Sequence, residues 1–474
     1  MISFIKDAVS KTGISYKKIF VIFSLAFIAY VFLSTYTDLS PQGARMSVIF
    51  IMAVVGIMLK VCHQILWLLL MVSIASLSGA IDVCDGFSGF TKMVPWLVFA
   101  VLSLSPLITT TPLSLRLAYF FMKHFGGNIL GLSFSIAFTE LIVAPMLPSN
   151  TARAASVGLP LATSLTKYIS SNVPGVSEQS IGQYLSIFCS FCNTISSGLF
   201  YTGMISNALI PEITAKAGVN FTWFSWFKFM AIPYLITLFI IPFILKFCCK
   251  LKVDKLGELQ KKADQNSKEL GKITPKEKII LSVFFGMLVL WVLSEYIHIS
   301  VLTTALIGVC LFVFLGVLSM KDVFSNNNAF TFLIFLGVLI SLVNCLGSTG
   351  VMTWFSNKVA LSLNGMSPNV AFLLLTAIYY YAQFFFNGES SKIVALYAPF
   401  FTTGLAMGIN PIMLAVTLAS FSSAADFLAP HVCPTCLTLS STGYVSFKKW
   451  LFCGVVTSVI FLTIWYTYSY MVWM

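Results

Sequence analysis

The stretch Pro148-Ser149-Asn150-Thr151-Ala152-Arg153 is a polar, chargeable hexapeptide within apolar sequence that runs from Ile129 to Ile169. Backbone and side-chain polar groups are costly in hydrocarbon unless protein, water or a ligand satisfies them. Two short apolar arms around a Ser-Asn-Thr tip therefore predict a re-entrant hairpin, whose turn lies near the middle of a membrane. The alternative is an ordinary turn outside the membrane between two full spans, because Pro-Ser-Asn sequences often form turns.

The composition indicates a polytopic membrane protein. Of the 474 residues, 58% are hydrophobic and only 9% are charged, and the mean hydropathy is +0.93. Soluble domains of this size are not so poor in charge. The net charge of +12 comes from basic residues in short loops, a pattern that sets membrane topology and is not typical of a nucleic-acid-binding face. We therefore expect the lipid bilayer, and no nucleic acid, as a partner.

The order of apolar segments predicts an all-α protein with about eleven transmembrane helices and two re-entrant hairpins. The two halves repeat the same order of elements but start on opposite sides of the membrane, which makes them an inverted repeat. Basic residues before the first span place the N-terminus in the cytoplasm, and the count of spans places the C-terminus outside. The predicted segments are the N-terminal span 1–45, the first half 46–249 with hairpin 128–171, the cytoplasmic linker 250–278, and the second half 279–474 with hairpin 367–408.

Three further interruptions of the apolar sequence contribute candidate site residues. Asn387-Gly388-Glu389-Ser390-Ser391-Lys392 forms the tip of the second hairpin. Asn193-Thr194-Ile195-Ser196-Ser197-Gly198 and Leu428-Ala429-Pro430 interrupt two long apolar segments, where a helix can unwind and offer its backbone. For the stretch at Asn193, close packing of small residues against another helix explains the pattern equally well.

Such tips and broken helices would enclose a site for a small anion, because helix N-termini and free N–H groups attract negative charge. Carbonyl, amide and hydroxyl oxygens suit a hard cation such as Na⁺. The sequence contains neither a catalytic cluster of Asp, Glu and His nor a phosphate-binding Gly-rich loop, so neither an enzyme nor an ATP-driven pump is expected. The prediction is a secondary transporter. The alternatives are an anion channel, a non-transporting scaffold, or a metalloprotein that uses the pairs Cys189/Cys192 and Cys433/Cys436.

Two ionisable residues in the first hairpin need a separate interpretation, because charge inside a membrane is costly unless it is paired or used. Glu140 either tethers the hairpin or takes part in handling a proton or cation. Arg153 either binds the substrate, reaches toward the membrane surface, or pairs with Glu140. The sequence leaves these alternatives open for both residues.

The segment Glu140-Leu-Ile-Val-Ala-Pro-Met-Leu-Pro-Ser-Asn-Thr-Ala-Arg153 resembles the signature of the divalent anion:sodium symporter family. Its branch of bacterial citrate, tartrate and plastid-type 2-oxoglutarate/malate translocators is the most similar. Asn193-Thr194, Phe200-Tyr-Thr-Gly-Met204 and Gly443-Tyr-Val-Ser446 follow in the family's order. The resemblance extends from about Met46 to the C-terminus.

The resemblance implies a homodimer with scaffold and transport parts, which moves its substrate by an elevator motion across the bacterial cytoplasmic membrane. It implies di- or tricarboxylate substrates of the malate, succinate, 2-oxoglutarate or citrate type, carried by Na⁺ symport or by anion exchange. It further implies that Asn150 and Thr151 contact a substrate carboxylate. The cation site that it implies draws on Ser149, Asn150 and Gly198, and no other cofactor is expected.

The second half departs from the family's pattern. The second tip has Gly388-Glu389-Ser390, where only Ser390 keeps a matching hydroxyl, and the second broken helix has Pro430 in place of a Gly-Thr-rich loop. A carboxylate at Glu389 would repel a dicarboxylate in a medium of low dielectric constant. It must therefore be protonated, paired with Lys392, or bound to a cation, and an H⁺-coupled carrier of another small anion is an alternative function. The substrate-binding candidates are Asn150, Thr151, Asn193, Thr194, Glu389, Ser390 and Pro430.

Overall fold

The computed structural model describes residues 15–362 and 366–473, and within these ranges every regular element is helical. Outside the helices, one isolated β-bridge pairs Asn128 with Lys255. The residues before Ser15, which begin the predicted N-terminal span, lie outside the described residues, as does the C-terminal Met474.

Five of the described helices are long and apolar enough to cross a membrane. A bent pair, Asp85–Thr91 with Met93–Thr109, changes direction by 52° and would form a sixth span. Shorter apolar helices of 10–17 residues are Gln64–Leu77, Ile129–Val143, Val301–Phe314 and Pro411–Phe427. The chain is thus an all-helical protein with several membrane-crossing helices, and the count of about eleven spans stays a prediction.

The chain folds into two units, each assembled from separate segments. The first unit comprises the residues up to Phe99, Asn327–Thr376 and Ser390–Leu414. Within it, the 3₁₀ turn Asp85–Thr91 packs on the helix Asn327–Ser348, where the N–H of Gly89 donates to Ser341 Oγ at 2.8 Å. The other helices that lie wholly in this unit are Tyr16–Tyr36, Pro41–Met58, Gln64–Leu77, Val351–Ser362 and Ala398–Ala406.

The second unit comprises Ala100–Asn326, Ala377–Glu389 and the chain from Ala415 onward. Its central helix is Glu178–Leu199, in which every residue from Tyr184 to Leu199 is buried. The longer helices around it are Leu113–Phe125, Ile129–Val143, Leu159–Asn172, Trp223–Cys248, Leu259–Glu269, Pro275–Val292, Val301–Phe314 and Phe447–Trp473. The shorter ones are Ser105–Thr109, Asn150–Arg153, Leu209–Thr214, Ser294–Ile297, Met320–Phe324 and Pro434–Ser440. Helices that continue from one unit into the other are Met93–Ser103, Pro368–Ala382, Glu389–Lys392 and Pro411–Ala424.

Both units combine segments from the two predicted halves, so they do not coincide with the predicted boundaries at 46–249 and 279–474. Those boundaries stay predictions. A local repeat is nevertheless present in the secondary structure. Each predicted hairpin contains a tip helix of 4 residues, Asn150–Arg153 or Glu389–Lys392. Each tip helix is followed by a π-helical turn of 5 residues, Ala154–Gly158 or Ile393–Tyr397, and then by an α-helix.

The charged stretch predicted as a linker contains the helix Leu259–Glu269, which packs on Leu113–Phe125. Asp264 pairs with Lys123 at 2.6 Å and with Lys268 at 2.8 Å. Hydrogen bonds from these two lysines lower the pKa of the Asp264 carboxyl group to about 2. This exposed contact therefore keeps its charges at every physiological pH.

Arg116 joins the same region to the start of the helix Pro275–Val292. Its Nε lies 2.8 Å from Glu277 Oε1, and its other nitrogens donate to backbone carbonyls at the end of the linker. The second Glu277 carboxylate oxygen accepts the N–H of Thr274 in a capping box. Arg116, which is half-buried, thus neutralises the buried Glu277 carboxylate that caps the helix. It also donates hydrogen bonds to three backbone carbonyls near the end of the linker.

We expect Arg116→Met to lower the midpoint of thermal unfolding by several degrees, because it leaves the buried Glu277 carboxylate without its cation. Lys261→Met is the matched control, since Lys261 and Glu258 form a pair in which both side chains are more than 70% exposed. Tryptophan fluorescence of the detergent-purified protein measures both midpoints. Equal shifts in the two variants would contradict this assignment.

Candidate functional site

The first predicted hairpin is built from two helical arms joined by a non-helical turn. The first arm begins at Asn128, whose side chain accepts the N–H of Gly131 at 2.7 Å, and ends at Val143. Pro145 and Pro148 follow, and each removes a backbone donor and disfavours helix in the residue before it. The chain becomes helical again at Asn150, where Ser149 is the N-cap and its Oγ accepts the N–H of Ala152.

Arg153, at the end of the tip helix, is completely buried and forms an ion pair with Glu140 on the first arm. Its Nε lies 3.2 Å from Glu140 Oε2. All five guanidinium N–H donors have acceptors, so none remains for a substrate. The acceptors other than Glu140 are the carbonyls of Leu147 and Gly203 and the hydroxyls of Ser196 and Ser197. The sequence left three alternatives open for Arg153, and the structure shows the ion pair with Glu140.

The central helix supplies the remaining partners of Glu140. Ser196 Oγ donates to Glu140 Oε2 at 3.2 Å, and Asn193 Nδ2 lies 3.4 Å from Oε1. The same Asn193 amide donates to the backbone carbonyl of Asn150 at 3.2 Å. Asn193 therefore connects the central helix to the tip, and its amide hydrogens are engaged in holding the tip in place.

The interruption predicted at Asn193–Gly198 is wrong in position, because the helix Glu178–Leu199 is continuous through it. Ser197 Oγ donates to the carbonyl of Asn193 four residues earlier, so the hydroxyl is satisfied inside the helix. The helix ends instead at Leu199 and is followed by two 3₁₀ turns, Tyr201–Gly203 and Ile205–Ala208.

Side chains satisfy the carbonyl groups that this break exposes. Asn207 Nδ2 donates to Ser197 O and Phe200 O, both at 2.9 Å, and Trp226 Nε1 donates to Gly198 O at 3.0 Å. Arg153 covers the carbonyl of Gly203. Small and polar residues after Phe200 accompany this break, which lies beyond the stretch Asn193–Gly198 where it was predicted.

Gly198 has a packing role. A Cβ atom at this position would lie 2.3 Å from Ser423 Oγ and 2.4 Å from Tyr234 Oη. Within the described residues, no hydrogen bond joins Gly198 to Ser149 or Asn150. Of the two explanations for the small residues here, the structure supports close packing, and Gly198 as a cation ligand stays a prediction.

Asn150 and Thr151 are half-buried at the start of the tip helix. Asn150 Oδ1 accepts the N–H of Thr151 at 2.9 Å, and its Nδ2 donates to Glu389 Oε1 at 2.7 Å. The structure thus brings together two predicted site residues that are 239 positions apart in the chain. No local sequence pattern could have indicated this contact.

The second broken helix ends at Ala424 and is followed by a 3₁₀ turn, Ala425–Phe427, and an irregular segment before Pro434–Ser440. The break predicted around Leu428–Pro430 is therefore confirmed in position. Gln383 Nε2 donates to Val432 O at 2.9 Å, and a ring nitrogen of His431 lies 3.1 Å from Phe384 O. Pro430 is half-buried in this segment, and Ser390 is the second residue of the helix Glu389–Lys392.

Glu389 also belongs to a buried group with Asp426 and Cys433, in which one potential ligand atom from each residue lies within 4.8 Å of the others. Cys433 Sγ and Cys436 Sγ are 3.0 Å apart as free thiols. Cys189 and Cys192 are buried, free thiols on the central helix. A metal site at either cysteine pair stays a prediction.

The oxygen atoms at the first tip have the chemistry that a hard cation requires. Thr194 Oγ1 is buried, and among the described residues it has no hydrogen-bond partner. Ser149 Oγ and Asn150 Oδ1 each accept one backbone N–H, which leaves each a second lone pair. Oxygen donors of this kind suit Na⁺, and a Na⁺ site at this tip stays a prediction.

We expect Arg153→Met to cost about 3–5 kcal/mol of stability, because it leaves the Glu140 carboxylate buried without its cation. The double variant Arg153→Met/Glu140→Met should lose less than the single variant, since it buries no unpaired charge. The yield of monodisperse protein on size-exclusion chromatography and the midpoint of thermal unfolding measure both. A double variant that is less stable than Arg153→Met would contradict the pairing.

We also expect Gly198→Ala to destabilise the protein by about 1–3 kcal/mol, because its methyl group would overlap Ser423 and Tyr234. Gly286→Ala is the matched control. Gly286 also lies within a helix, and a Cβ there would meet no atom within 4 Å. Thermal unfolding in detergent compares the two, and an equal effect would show that packing does not explain Gly198.

Comparison with known proteins places the chain in a group of membrane transporters. The sequence profile of the sodium:sulfate symporter transmembrane region matches residues 15–474. The chain is 29% identical over 461 residues to the "Putative malate transporter YflS" of Bacillus subtilis, covering 97% of this chain and 96% of that protein. It is 27% identical over 437 residues to the chloroplastic dicarboxylate transporter 1 of Spinacia oleracea, covering 92% and 77%.

Among solved structures, the chain is similar in fold to MtrF of Neisseria gonorrhoeae. The TM-score is 0.55 at 15% sequence identity, covering 80% of this chain and 81% of MtrF. The family and the named relatives are transporters and not enzymes, which agrees with the expectation from the sequence. Because the profile covers nearly the whole chain, this protein belongs to the sodium:sulfate symporter family, which is the divalent anion:sodium symporter family that its first tip resembles.

Proposed function

We propose that the chain is a secondary active transporter of di- or tricarboxylates, of the malate, succinate, 2-oxoglutarate or citrate type. One observation carries the proposal: a buried ion pair holds the Asn150-Thr151 tip of the first hairpin in a chain whose family transports anions. Support for carboxylates comes from two relatives, one named for malate and the other for dicarboxylates.

In this proposal the substrate carboxylate binds at the start of the tip helix. Asn150 contributes an amide donor, and Thr151 contributes a hydroxyl at the start of the tip helix. Arg153 and Glu140 position the tip and do not touch the substrate, and Asn193, a predicted substrate ligand, also holds the tip through its amide. Thr194, Ser390 and Pro430 are further candidates for lining the site, and their roles are proposals on the same footing.

Na⁺ is the proposed coupling ion, held by Ser149, Asn150 and Gly198, with Thr194 as an additional oxygen donor. A bound cation would offset part of the negative charge that a dicarboxylate brings into a site of low dielectric constant. Symport with Na⁺ and exchange of one anion for another are both modes of this proposal. Proteoliposome counterflow with and without Na⁺ separates them.

We further propose the assembly and topology that the family resemblance implies. The protein would be a homodimer in the bacterial cytoplasmic membrane, with about eleven spans, two re-entrant hairpins and an elevator motion. The N-terminus would be cytoplasmic and the C-terminus outside. The repeated order of tip helix, π-turn and α-helix in the two hairpins supports the inverted repeat.

A thermal-shift panel of C4 to C6 carboxylates, each with and without Na⁺, tests the function. We expect at least one dicarboxylate to raise the unfolding midpoint, because a ligand that binds only the folded state stabilises it. Asn150→Ala should weaken that ligand by about tenfold or more, since it removes a hydrogen bond to a charged group. The control Asn172→Ala, whose amide bonds only to Tyr168 O at an exposed helix end, should bind normally. No stabilisation by any member of the panel, with or without Na⁺, would contradict the proposed function.

A further inference from the structure

We propose that Glu389 is an internal carboxylate that competes with the substrate for the amide of Asn150. The inference deepens the proposed function and rests on it, because it concerns the group that would bind a substrate carboxylate. It assigns to the second tip a role in setting how tightly the first tip holds its ligand.

The geometry of Asn150 leaves its NH₂ group directed at Glu389. Its Oδ1 is held by the N–H of Thr151 at 2.9 Å, and its backbone carbonyl is held by Asn193 at 3.2 Å. With the oxygen side of the amide fixed in this way, Nδ2 donates to Glu389 Oε1 at 2.7 Å. One of the two N–H hydrogens of this group is thus given to Glu389, and a substrate carboxylate that takes this hydrogen must displace the Glu389 carboxyl group.

Charge makes simultaneous binding unfavourable. Glu389 is 6% exposed, and the buried Asp426 and Cys433 place further oxygen and sulfur ligand atoms within 4.8 Å of it. Two carboxyl groups cannot accept the same N–H hydrogen, and wherever Glu389 is ionised, a substrate carboxylate a few ångströms away is also repelled more strongly than in water. The substrate therefore binds by exchanging places with Glu389, and part of its binding free energy is spent on that displacement.

The exchange has a chemical consequence for selectivity. A ligand with one carboxylate must displace Glu389 with a single ion–dipole contact, whereas a dicarboxylate has a second carboxylate with which to make further contacts. Glu389 thus disfavours small monocarboxylates at the tip and keeps the Asn150 amide hydrogen-bonded between transport events. The Glu389 carboxyl group therefore lowers the affinity for the substrate, but it keeps the Asn150 amide hydrogen-bonded when no substrate is bound.

The test measures succinate or malate binding, whichever stabilises the unmodified protein, to Glu389→Gln and Glu389→Ala by isothermal titration calorimetry. We expect Glu389→Ala to bind about tenfold more tightly, because it removes a hydrogen bond between an amide and a charged group. Glu389→Gln should gain less, since its neutral oxygen still accepts from Asn150. It also keeps the shape of glutamate and so guards against misfolding.

Glu212→Gln, which removes a negative charge from the helix Leu209–Thr214, is the matched control and should bind like the unmodified protein.

Transport kinetics in proteoliposomes provide a second readout that a purely structural role would not produce. Both Glu389 variants should lower KM for the dicarboxylate, and a monocarboxylate such as butyrate should become a stronger competitor. Unchanged or weaker dicarboxylate binding in both variants, while the unmodified protein binds normally, would overturn the inference and leave the proposed function intact. Absence of carboxylate binding to the unmodified protein would instead overturn the proposed function.

Discussion

The buried ion pair between Arg153 and Glu140 is the constraint on which the site depends. A guanidinium group in a membrane interior is tolerated only when every donor is satisfied and its charge is matched. Here the matching acceptors come from three parts of the chain: the first arm and turn of the hairpin, the central helix, and the segment after its break. One cation therefore fixes the tip, and the tip helix cannot shift without exposing Glu140 or several carbonyl groups.

Some polar groups of the site hold its structure through hydrogen bonds, and others are available to bind a ligand. The guanidinium group of Arg153 and the amide group of Asn193 donate to protein acceptors and so hold the structure. The groups that can act in the site are the Asn150 amide, once it leaves Glu389, the half-buried hydroxyl of Thr151, and the buried hydroxyl of Thr194. Because the surrounding hydrogen bonds fix the tip, these groups are oriented before a ligand arrives.

Much of this architecture could be predicted from hydropathy and from the positions of the prolines. The helical arms and the break near Pro430 follow from apolar periodicity and from residues that cannot continue a helix. Two features were beyond sequence reasoning. The stretch Asn193–Gly198 stays helical because Ser197 bonds back to a carbonyl one turn earlier, and residue type alone does not distinguish that from an unwound helix. The contact of Asn150 with Glu389 is a tertiary hydrogen bond: the inverted repeat predicts that the two tips enclose one site, but not which of their side chains meet.

The central claim is that the Ser149–Thr151 tip lies inside the bilayer and binds a carboxylate there. A high-resolution cryo-electron-microscopy structure in lipid nanodiscs, determined with a saturating dicarboxylate, tests it most directly. We expect ligand density within hydrogen-bonding distance of Asn150 Nδ2, at the depth of the hydrocarbon core. A tip that lies among the lipid headgroups, with ligand density elsewhere, would contradict it.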